Sequence, residues 1–345
     1  MLFRSSRAYQ ILGSMTLDEK IGQLFIVRCP REGAAEAAKK YHLGGFTLYA
    51  VDFGDDGTGE GKTAEEVRHD IESYQAASEL PMFIAVDEEG GNVVRASKFA
   101  SLRESPFEAP AAVFSRGGLR ALSTDTKEKC RFLRSLGINL NYAPVCDLSF
   151  DTANYIYHRT FGQSAEVSAD CAAAVVGEMK RMRMGCSLKH FPGYGDNVDT
   201  HTGIARDTKR TRAEFEASDY LPFLGGINAG AGMIMVAHII VDCMDSERPA
   251  SLSPEVHRIL RNDFGFSGVI VTDSLDMGGI TKFTGGSEAA VAALLAGNDL
   301  LCCSSYESQI PAIRAAIAEG KITERRIDES VLRILDYKIS LGIIG

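Results

Sequence analysis

The stretch PEVHRILRNDFGFSGVIVTDS, residues 254–274, places a helix pattern directly before a strand pattern. Its first part, PEVHRILRNDF (254–264), has apolar residues at helical spacing, and its second part, GVIVTDS (268–274), is a near-continuous apolar run. A strand that is apolar on both faces is typical of a parallel sheet with helices on both sides. This single unit therefore predicts an α/β fold.

Seven further runs of the same kind occur along the chain, each bounded by glycine, proline or polar residues. They are IGQLFIVRC (21–29), GGFTLYA (44–50), PMFIAVD (81–87), GINLNYAPV (137–145), CSLKHF (186–191), GMIMVAH (232–238) and DLLCCS (299–304). Helical patterns separate the runs, notably at 63–80, 168–184 and 326–342, and Thr16…Glu19 and Thr63…Glu66 read as capping boxes.

Eight strands alternating with helices predict a single (β/α)8 TIM-type barrel over residues 1–345, with a doubly wound sheet as the alternative. The first run (21–29) could instead complete the opening helix, which would make the first strand irregular. The chain ends just after the eighth unit and contains no linker or internal repeat, so we expect no second domain.

Composition and motifs limit the class of function. The chain has 345 residues and a formal net charge of -9, which argues against a nucleic-acid-binding surface. Neither a signal peptide nor a run of about 18 apolar residues is visible, so we expect a cytoplasmic protein without a membrane partner. The eight cysteines form no C-x-x-C pair, and no H-x-x-x-H or H-E-x-x-H motif occurs. We therefore expect reduced core thiols, no metal and no cofactor.

Polar residues follow several of the predicted strands. Because barrel chemistry lies where strands end and βα loops begin, these residues should meet on one face. They are Asp87, Asp147, Lys189, His190, His238 and Asp273. Asp273 is either a functional carboxylate or the N-cap of a helix that begins at LDMGGI. Lys189 and His190 are adjacent, so they should point to opposite faces unless the strand end is irregular.

The segment SLKHFPGYGDNVDTHTG (187–203) follows the fifth predicted strand and is rich in glycine and polar residues. Asp199 precedes His201 by two residues, and an aspartate so placed can orient an imidazole, fix its tautomer and raise its basicity. A pair on a surface loop is the alternative interpretation.

Asp87 and two further residues are candidates for binding a polar ligand. Asp87 opens the run DEEGG after the third strand, where a carboxylate could accept two sugar hydroxyls or cap a helix. Arg95 and Arg159 could contact hydroxyl or carboxylate groups, or simply lie on the surface.

Ten segments, in order along the chain, resemble glycoside hydrolase family 3 in its single-domain β-N-acetylglucosaminidase branch. They are MTLDEKIGQL, VDEEGGNVVR, NLNYAPVCDL, IYHRTFG, LKHFPGYGDNVDTH, MIMVAHI, PASLSP, GVIVTDSLDM, AGNDLL and IDESVLRIL. The combination of KHFPG-G…D-[ST]-H with TDSL is the most specific part of the resemblance. The β-glucosidase branch of the family generally takes its acid from a second domain, whereas this chain has the Asp-Thr-His segment instead.

The resemblance implies a retaining, two-step hydrolysis of terminal β-linked GlcNAc from muropeptides, as in peptidoglycan recycling, or from chitin-type oligosaccharides. Asp273 would be the nucleophile, and His201, oriented by Asp199, would be the general acid/base. The residues that would hold the terminal sugar are Asp87, Arg95, Arg159, Lys189 and His190. A small carbohydrate is the one partner that this implies.

Three positions depart from the family pattern. Asn92 replaces the usual arginine, Tyr194 replaces the commoner histidine, and the segment from Gly195 to Asp199 is about one residue shorter. None of these changes removes a predicted catalytic residue, but we expect the shorter segment to alter the leaving-group side and the reach of His201. The alternatives are a phosphorylase that uses the same residues, β-glucosidase or β-xylosidase specificity, and a sugar-binding protein without turnover.

Overall fold

The computed structural model describes residues 5–55, 57–197, 203–284 and 288–345. Its strands are β1 (Phe25–Arg28), β2 (Gly45–Leu48), β3 (Phe83–Val86), β4 (Leu140–Asn141), β5 (Gly185–Cys186), β6 (Leu188–Phe191), β7 (Ala205–Asp207), β8 (Met233–Val236), β9 (Ile239–Val241), β10 (Val269–Thr272) and β11 (Leu301–Cys303). Its helices are α1 (Ser6–Ser14), α2 (Leu17–Gln23), α3 (Ala34–Tyr41), α4 (Ala50–Phe53), α5 (Ala64–Ala77), α6 (Pro110–Ser135), α7 (Ala165–Arg181), α8 (Arg212–Ala217), α9 (Tyr220–Ala229), α10 (Pro254–Arg258), α11 (Gly278–Thr284), α12 (Ala289–Ala296), α13 (Tyr306–Ala318) and α14 (Glu324–Ser340).

The strands pair in parallel and in the order of the predicted barrel. One sheet runs β11-β1-β2-β3-β4-β5, and a second runs β10-β8-β6. Single parallel bridges connect the two sheets, between Val145 and Lys189 on one side and between Val271 and Leu300 on the other. The α/β fold with a parallel central sheet is therefore confirmed, although two sheets carry it rather than one continuous ring.

Each of the eight predicted runs contains a strand, and two of them are divided. In the first run, the Thr16 capping box starts α2, which continues to Gln23 before β1 begins at Phe25. The run 21–29 therefore contains both predicted possibilities, the end of the opening helix and a short first strand. In the fifth run, Ser187 separates β5 from β6. The parallel pair β7–β9 was not predicted, because its three-residue strands have too few residues to show a period.

The barrel core is built from strand residues that are buried on both faces. All four residues of β2, β3, β8 and β10 are buried, as continuous apolar runs in a helix-covered sheet require. The predicted capping box at Thr63 begins α5. The predicted helix at 254–264 starts as α10 and continues as one π-helical turn from Ile259 to Asp263.

The cysteines agree with one further expectation. All eight cysteines are free thiols, and seven of them are buried, with Cys243 exposed. Within the described residues, no helix has the length and apolar character needed to cross a membrane. The organisation of residues 1–345 as a single domain stays a prediction.

Candidate active site

A cavity of about 400 Å³ lies at the carboxyl ends of the strands. It brings together six of the eight predicted site residues, namely Asp87, Arg95, Arg159, Lys189, His190 and Asp273. The other two, Asp199 and His201, lie outside the described residues. Asp87, Lys189, His190 and Asp273 converge because each follows or ends a parallel strand, whereas Arg95 and Arg159 reach the cavity from the segments that connect β3 to α6 and β4 to α7.

Asp273 lies directly after β10 and faces this cavity. Its backbone amide donates to the Val236 carbonyl at 3.1 Å, and its Oδ1 accepts the Ser274 amide at 2.7 Å. Helix α11 begins only at Gly278, so the interpretation of Asp273 as its N-cap is wrong. The carboxylate is therefore held by backbone groups at the end of a central strand.

The charge of Asp273 follows from its neighbours. Burial would raise the pKa of this carboxyl group. The His238 and His190 rings, the Ser274 amide and the Lys189 ammonium outweigh burial and hold the pKa below its usual value. Asp273 is therefore a carboxylate at neutral pH, as a nucleophile must be.

His238 supports Asp273 from below the cavity. Its Nε2 lies 2.8 Å from the Ser274 carbonyl oxygen, which can only accept, so Nε2 carries the proton. Its Nδ1 lies 2.7 Å from the Ser251 hydroxyl. Burial lowers the pKa of His238 below its usual value. His238 thus fixes the backbone beside Asp273.

Lys189 and Arg159 meet over a buried carboxylate, that of Glu89. Lys189 Nζ lies 2.5 Å from Glu89 Oε1 and 2.6 Å from Asp87 Oδ1. Arg159 donates twice to Glu89, from Nε at 2.9 Å and from Nη2 at 2.8 Å. Burial alone would raise the pKa of Glu89, but Lys189 and Arg159 hold it far below its usual value. Glu89 is thus an ionised anchor for both cations.

Asp87 is the more accessible acid of this cluster. Its side chain is 19% exposed, against 1% for Glu89. Its Oδ2 lies 3.6 Å from Arg95 Nη2, which is too long for a direct hydrogen bond. The pair Asp87 and Arg95 therefore presents an acceptor and a donor to the cavity. The sequence pattern DEEGG indicated Asp87, but it gave no reason to separate the role of Glu89 from that of Glu88.

His190 is oriented by Asp147. Its Nδ1 lies 2.7 Å from Asp147 Oδ2, and Arg159 Nη2 lies 3.3 Å from its Nε2. Because the guanidinium can only donate, Nε2 accepts and Nδ1–H donates to Asp147. Both Lys189 and His190 line the cavity, and the pairing register of β6 with β8 shifts between Leu188 and Phe191. The end of this strand is therefore irregular, which is the case in which the sequence allowed Lys189 and His190 to face the same side.

Several lining residues were missed because they occur singly in the sequence. They include Arg28, Thr47, Tyr49, Tyr142, Tyr155, Asp276, Cys302 and Ser304. Two hydroxyls pair within this group, Thr47 Oγ1 and Tyr142 at 3.0 Å. An isolated tyrosine or arginine on a strand end has no local pattern to mark it, so only the assembled fold identifies these residues.

The two described flanks of the segment 198–202 are joined at their base by Arg210. Its Nε lies 2.5 Å from Asp207 Oδ2, its Nη1 pairs with Asp219, and its Nη2 donates to the Gly193 carbonyl at 2.9 Å. Asn197 Nδ2 also reaches Asp207 at 3.3 Å. The residues before and after 198–202 are thereby held together.

One group of potential metal ligands occurs among the described residues, formed by Glu19, His42 and Glu79. It lies beside the residues that lead into β2 and β3, at the opposite end of the strands from the cavity. Glu19 already accepts the Thr16 amide and hydroxyl in the capping box of α2. This group is therefore separate from the candidate active site.

Barrel enzymes place their active sites at the carboxyl face of the strands, where this chain collects acids, cations and a histidine. Residues 16–337 match the family model described as "Glycosyl hydrolase family 3 N terminal domain". The chain therefore belongs to glycosyl hydrolase family 3.

Individual relatives agree with this assignment. Beta-hexosaminidase A of Pseudoalteromonas piscicida is 30% identical over 340 residues, which are 89% of this chain and 55% of that protein. A solved family 3 beta-N-acetylglucosaminidase from Paenibacillus superposes with a TM-score of 0.87 at 28% identity, over 96% of this chain and 64% of that one. A solved beta-glucoside phosphorylase has a TM-score of 0.85 at 25% identity, over 98% and 61% of the two chains. This chain thus spans little more than half the length of several relatives.

Proposed function

We propose that this protein is a retaining exo-β-N-acetylglucosaminidase that releases terminal GlcNAc through a covalent glycosyl–aspartate intermediate. The observation that carries the proposal is one shared cavity in which the ionised Asp273 lies with the cluster formed by Asp87, Lys189, Arg159 and His190. A carboxylate nucleophile and a set of hydroxyl-binding groups are what a retaining glycosidase needs at its terminal sugar.

In the first step, a carboxylate oxygen of Asp273 attacks the anomeric carbon while the bond from that carbon to the leaving oxygen breaks. The Ser274 amide holds Asp273 Oδ1, which limits rotation of the nucleophile. The low pKa of Asp273 keeps it unprotonated for this attack. The product of the step is a glycosyl ester of Asp273.

The terminal sugar is held by the charged cluster. Asp87 can accept hydrogen bonds from two adjacent hydroxyls, and Arg95, Lys189 and His190 lie around the same cavity. Because Glu89 already pairs with Lys189 and Arg159, these two cations are oriented by the protein itself. Charged partners make such hydrogen bonds stronger than neutral ones.

The proton moves through His201 in this proposal, an assignment that rests on the resemblance described above. His201, oriented by Asp199, gives its proton to the leaving oxygen in the first step. In the second step His201 takes a proton from water, whose oxygen attacks the anomeric carbon and releases Asp273. The Arg210 contacts support the proposal by joining the two flanks of this segment.

Muropeptides and chitin-type oligosaccharides are the proposed natural substrates. The names of the Pseudoalteromonas and Paenibacillus relatives support N-acetylhexosamine as the released sugar. Preference for a β-glucoside or β-xyloside is the alternative within the same mechanism.

A phosphorylase is the second candidate function. It is favoured by the similarity to the beta-glucoside phosphorylase and by four cationic side chains around the cavity, Arg28, Arg95, Arg159 and Lys189. Phosphate would replace water in the second step and release the sugar as its 1-phosphate. Product analysis with and without phosphate in the buffer separates the two reactions, and sugar 1-phosphate as the main product would exclude simple hydrolysis.

The test of the main proposal compares wild type with Asp273→Ala on p-nitrophenyl β-GlcNAc and p-nitrophenyl β-glucoside. We expect cleavage of the GlcNAc compound by wild type only, with the β-anomer as the first product by NMR. Asp170→Asn, an exposed carboxylate on α7, is the control and should keep full activity. Binding of GlcNAc without any turnover would favour a sugar-binding protein, and full activity of Asp273→Ala would exclude Asp273 as nucleophile.

A further inference from the structure

Tyr155 lies at the mouth of the cavity, in the segment between β4 and α7. Its side chain is 39% exposed, whereas the cavity tyrosines Tyr142 and Tyr194 are 1% and 2% exposed. A large aromatic ring that lines a polar site and still meets solvent offers apolar area to a ligand.

Tyr155 is positioned by the sugar-binding cluster itself. Arg159 Nη1 donates to the Tyr155 hydroxyl at 2.7 Å, and the Arg159 guanidinium carbon lies 5.5 Å from the ring centre. The same Arg159 bonds twice to the buried Glu89. The orientation of the Tyr155 ring is therefore linked to the floor of the cavity.

Three rings form a continuous wall from the floor to the mouth, which we call the aromatic wall: His190, Tyr194 and Tyr155. The His190 and Tyr194 ring centres are 5.4 Å apart, and those of Tyr194 and Tyr155 are 6.1 Å apart. Tyr194 occupies the position where the family pattern has histidine more often, and it separates a buried binding residue from an exposed ring.

The position of the aromatic wall suggests which part of a substrate it could contact. Tyr194 belongs to the segment that continues to the proposed general acid. The leaving oxygen must face that acid to receive a proton, so the group attached to this oxygen has to leave the cavity along the same side. Tyr155 is the exposed end of the wall and contacts Tyr194, which begins that segment.

We propose that Tyr155 forms an aglycone subsite, in which its ring packs against the apolar face of the second sugar or against an aromatic aglycone. The inference rests on the proposed function and adds the part of the substrate that the charged cluster does not reach. Sugar rings present C–H groups on one face, and a rigid aromatic ring can cover them at low conformational cost. The chain has no tryptophan, so tyrosine and phenylalanine are its large rings for this task.

The experiment compares N,N′-diacetylchitobiose with free GlcNAc. Chitobiose occupies both sides of the cleaved bond, whereas free GlcNAc, measured as an inhibitor, occupies only the terminal-sugar side. For Tyr155→Ala we expect kcat/KM on chitobiose to fall about tenfold, mainly through KM, as one lost ring contact predicts. The inhibition constant of GlcNAc should stay within about twofold of wild type, given that the charged cluster remains.

Two variants separate packing from other effects. Tyr155→Phe keeps the ring but removes the hydroxyl that Arg159 contacts, and it should cleave chitobiose within about threefold of wild type. Phe150→Ala removes a ring that is 72% exposed on the same segment and is not among the described residues that line the cavity. Phe150→Ala should behave as wild type.

The opposing outcomes are distinct. Equal weakening of chitobiose cleavage and GlcNAc inhibition would place Tyr155 on the terminal-sugar side and overturn the subsite. Equal losses in Tyr155→Ala and Tyr155→Phe would show that the effect comes from the Tyr155 hydroxyl, which accepts from Arg159, and not from the ring. Equal losses in Tyr155→Ala and Phe150→Ala would show that the effect comes from a disturbance of the whole segment. Either result would overturn the subsite. Absence of wild-type activity on p-nitrophenyl β-GlcNAc would instead remove the proposed function, and the subsite with it.

Discussion

Gly279 packs directly against the backbone of Gly203. A Cβ placed on Gly279 would lie 2.9 Å from the Gly203 carbonyl carbon and 3.0 Å from its oxygen. Gly279 follows Asp273, the proposed nucleophile, by six residues, and Gly203 is the first described residue after the segment that carries Asp199 and His201. The two halves of the proposed catalytic pair are thus connected through a contact that only a residue without a side chain allows.

Gly279→Ala should displace the backbone at Gly203 and lower kcat by about 10- to 100-fold, because small misplacements of catalytic groups are costly. The loss should be larger for chitobiose than for p-nitrophenyl β-GlcNAc, whose leaving group needs little protonation. Steady-state kinetics on both substrates would measure the difference. Gly177→Ala on α7, where an added Cβ meets nothing within 4 Å, is the matched control. Equal losses on both substrates would contradict an effect on the acid.

Asp147→Asn should disturb the orientation of His190. One oxygen of Asp147 accepts from the His190 ring and backbone amide, and the other accepts the Tyr194 amide at 2.7 Å. An amide cannot accept from all three donors, so we expect kcat/KM to fall by about 100-fold. Asp196→Asn, an exposed residue two positions after Tyr194, should stay near wild type in the same assay. Unchanged kinetics in a folded Asp147→Asn would argue against this positioning role.

Asp299→Asn should destabilise the barrel by about 3 kcal/mol, because it leaves partly buried arginine partners without their anion. Asp299 is fully buried and pairs with Arg261 and, at 2.9 Å, with Arg333. Urea unfolding at neutral pH would measure the change. Asp263→Asn, which removes a partly exposed partner of Arg258, should cost less than about 1 kcal/mol.

The stabilisation by Asp299 should depend on pH in a defined direction. Burial would raise its pKa, but Arg261, Arg333 and Arg326 hold it below the usual value. The folded state therefore binds fewer protons than the unfolded state near the usual aspartate pKa of about 3.9. The difference between wild type and Asp299→Asn should be constant above this range and shrink below it. A difference that grows on acidification would contradict the assignment.

Lys338→Met should stabilise the protein at neutral pH. Lys338 is fully buried, its Nζ donates to Gln23 Oε1 at 2.8 Å, and burial lowers its pKa to about 7. Since an unfolded lysine has a pKa of about 10.4, burying it costs stability at low pH, and this cost disappears as the pH rises from about 7 to 10.4. We expect a gain on the order of a few kcal/mol at pH 6, reduced by about 1 kcal/mol for the lost hydrogen bond.

The pH series provides the check on Lys338. Unfolding free energies of wild type should rise between pH 7 and 10, while those of Lys338→Met should not show this rise. Lys20→Met removes a lysine whose side chain is 14% exposed and paired with Asp328, and it should show no comparable gain. A wild-type stability that falls over the same interval would contradict a neutral buried Lys338.

Much of the architecture could be predicted because its signals are local. Thr63 and Glu66 specify a helix start within four residues, and the apolar run 268–274 identifies a central strand without reference to the rest of the chain. Asp273 could be singled out because it ends that run. These features depend on neighbours in sequence, which periodicity and capping patterns register directly.

The supporting residues could not be predicted in this way, because their partners are distant in sequence. Glu89 is defined by Arg159, 70 residues away, and Asp147 by His190, 43 residues away. The contact between Gly203 and Gly279 has no sequence signal at all. Only the register of the parallel strands determines which of these side chains meet.

Glu89 also reduces the side-chain conformational entropy that ligand binding would otherwise cost. Lys189 and Arg159 are both long side chains, and each would lose on the order of 0.5–1.5 kcal/mol if a ligand had to immobilise it. Glu89, whose side chain is 1% exposed, immobilises both through contacts of 2.5–2.9 Å. The chain therefore loses this freedom once, when it folds, and a sugar that binds does not lose it again. In the proposed function, the affinity for the terminal sugar would thus depend on a carboxylate that is too buried to contact the sugar itself.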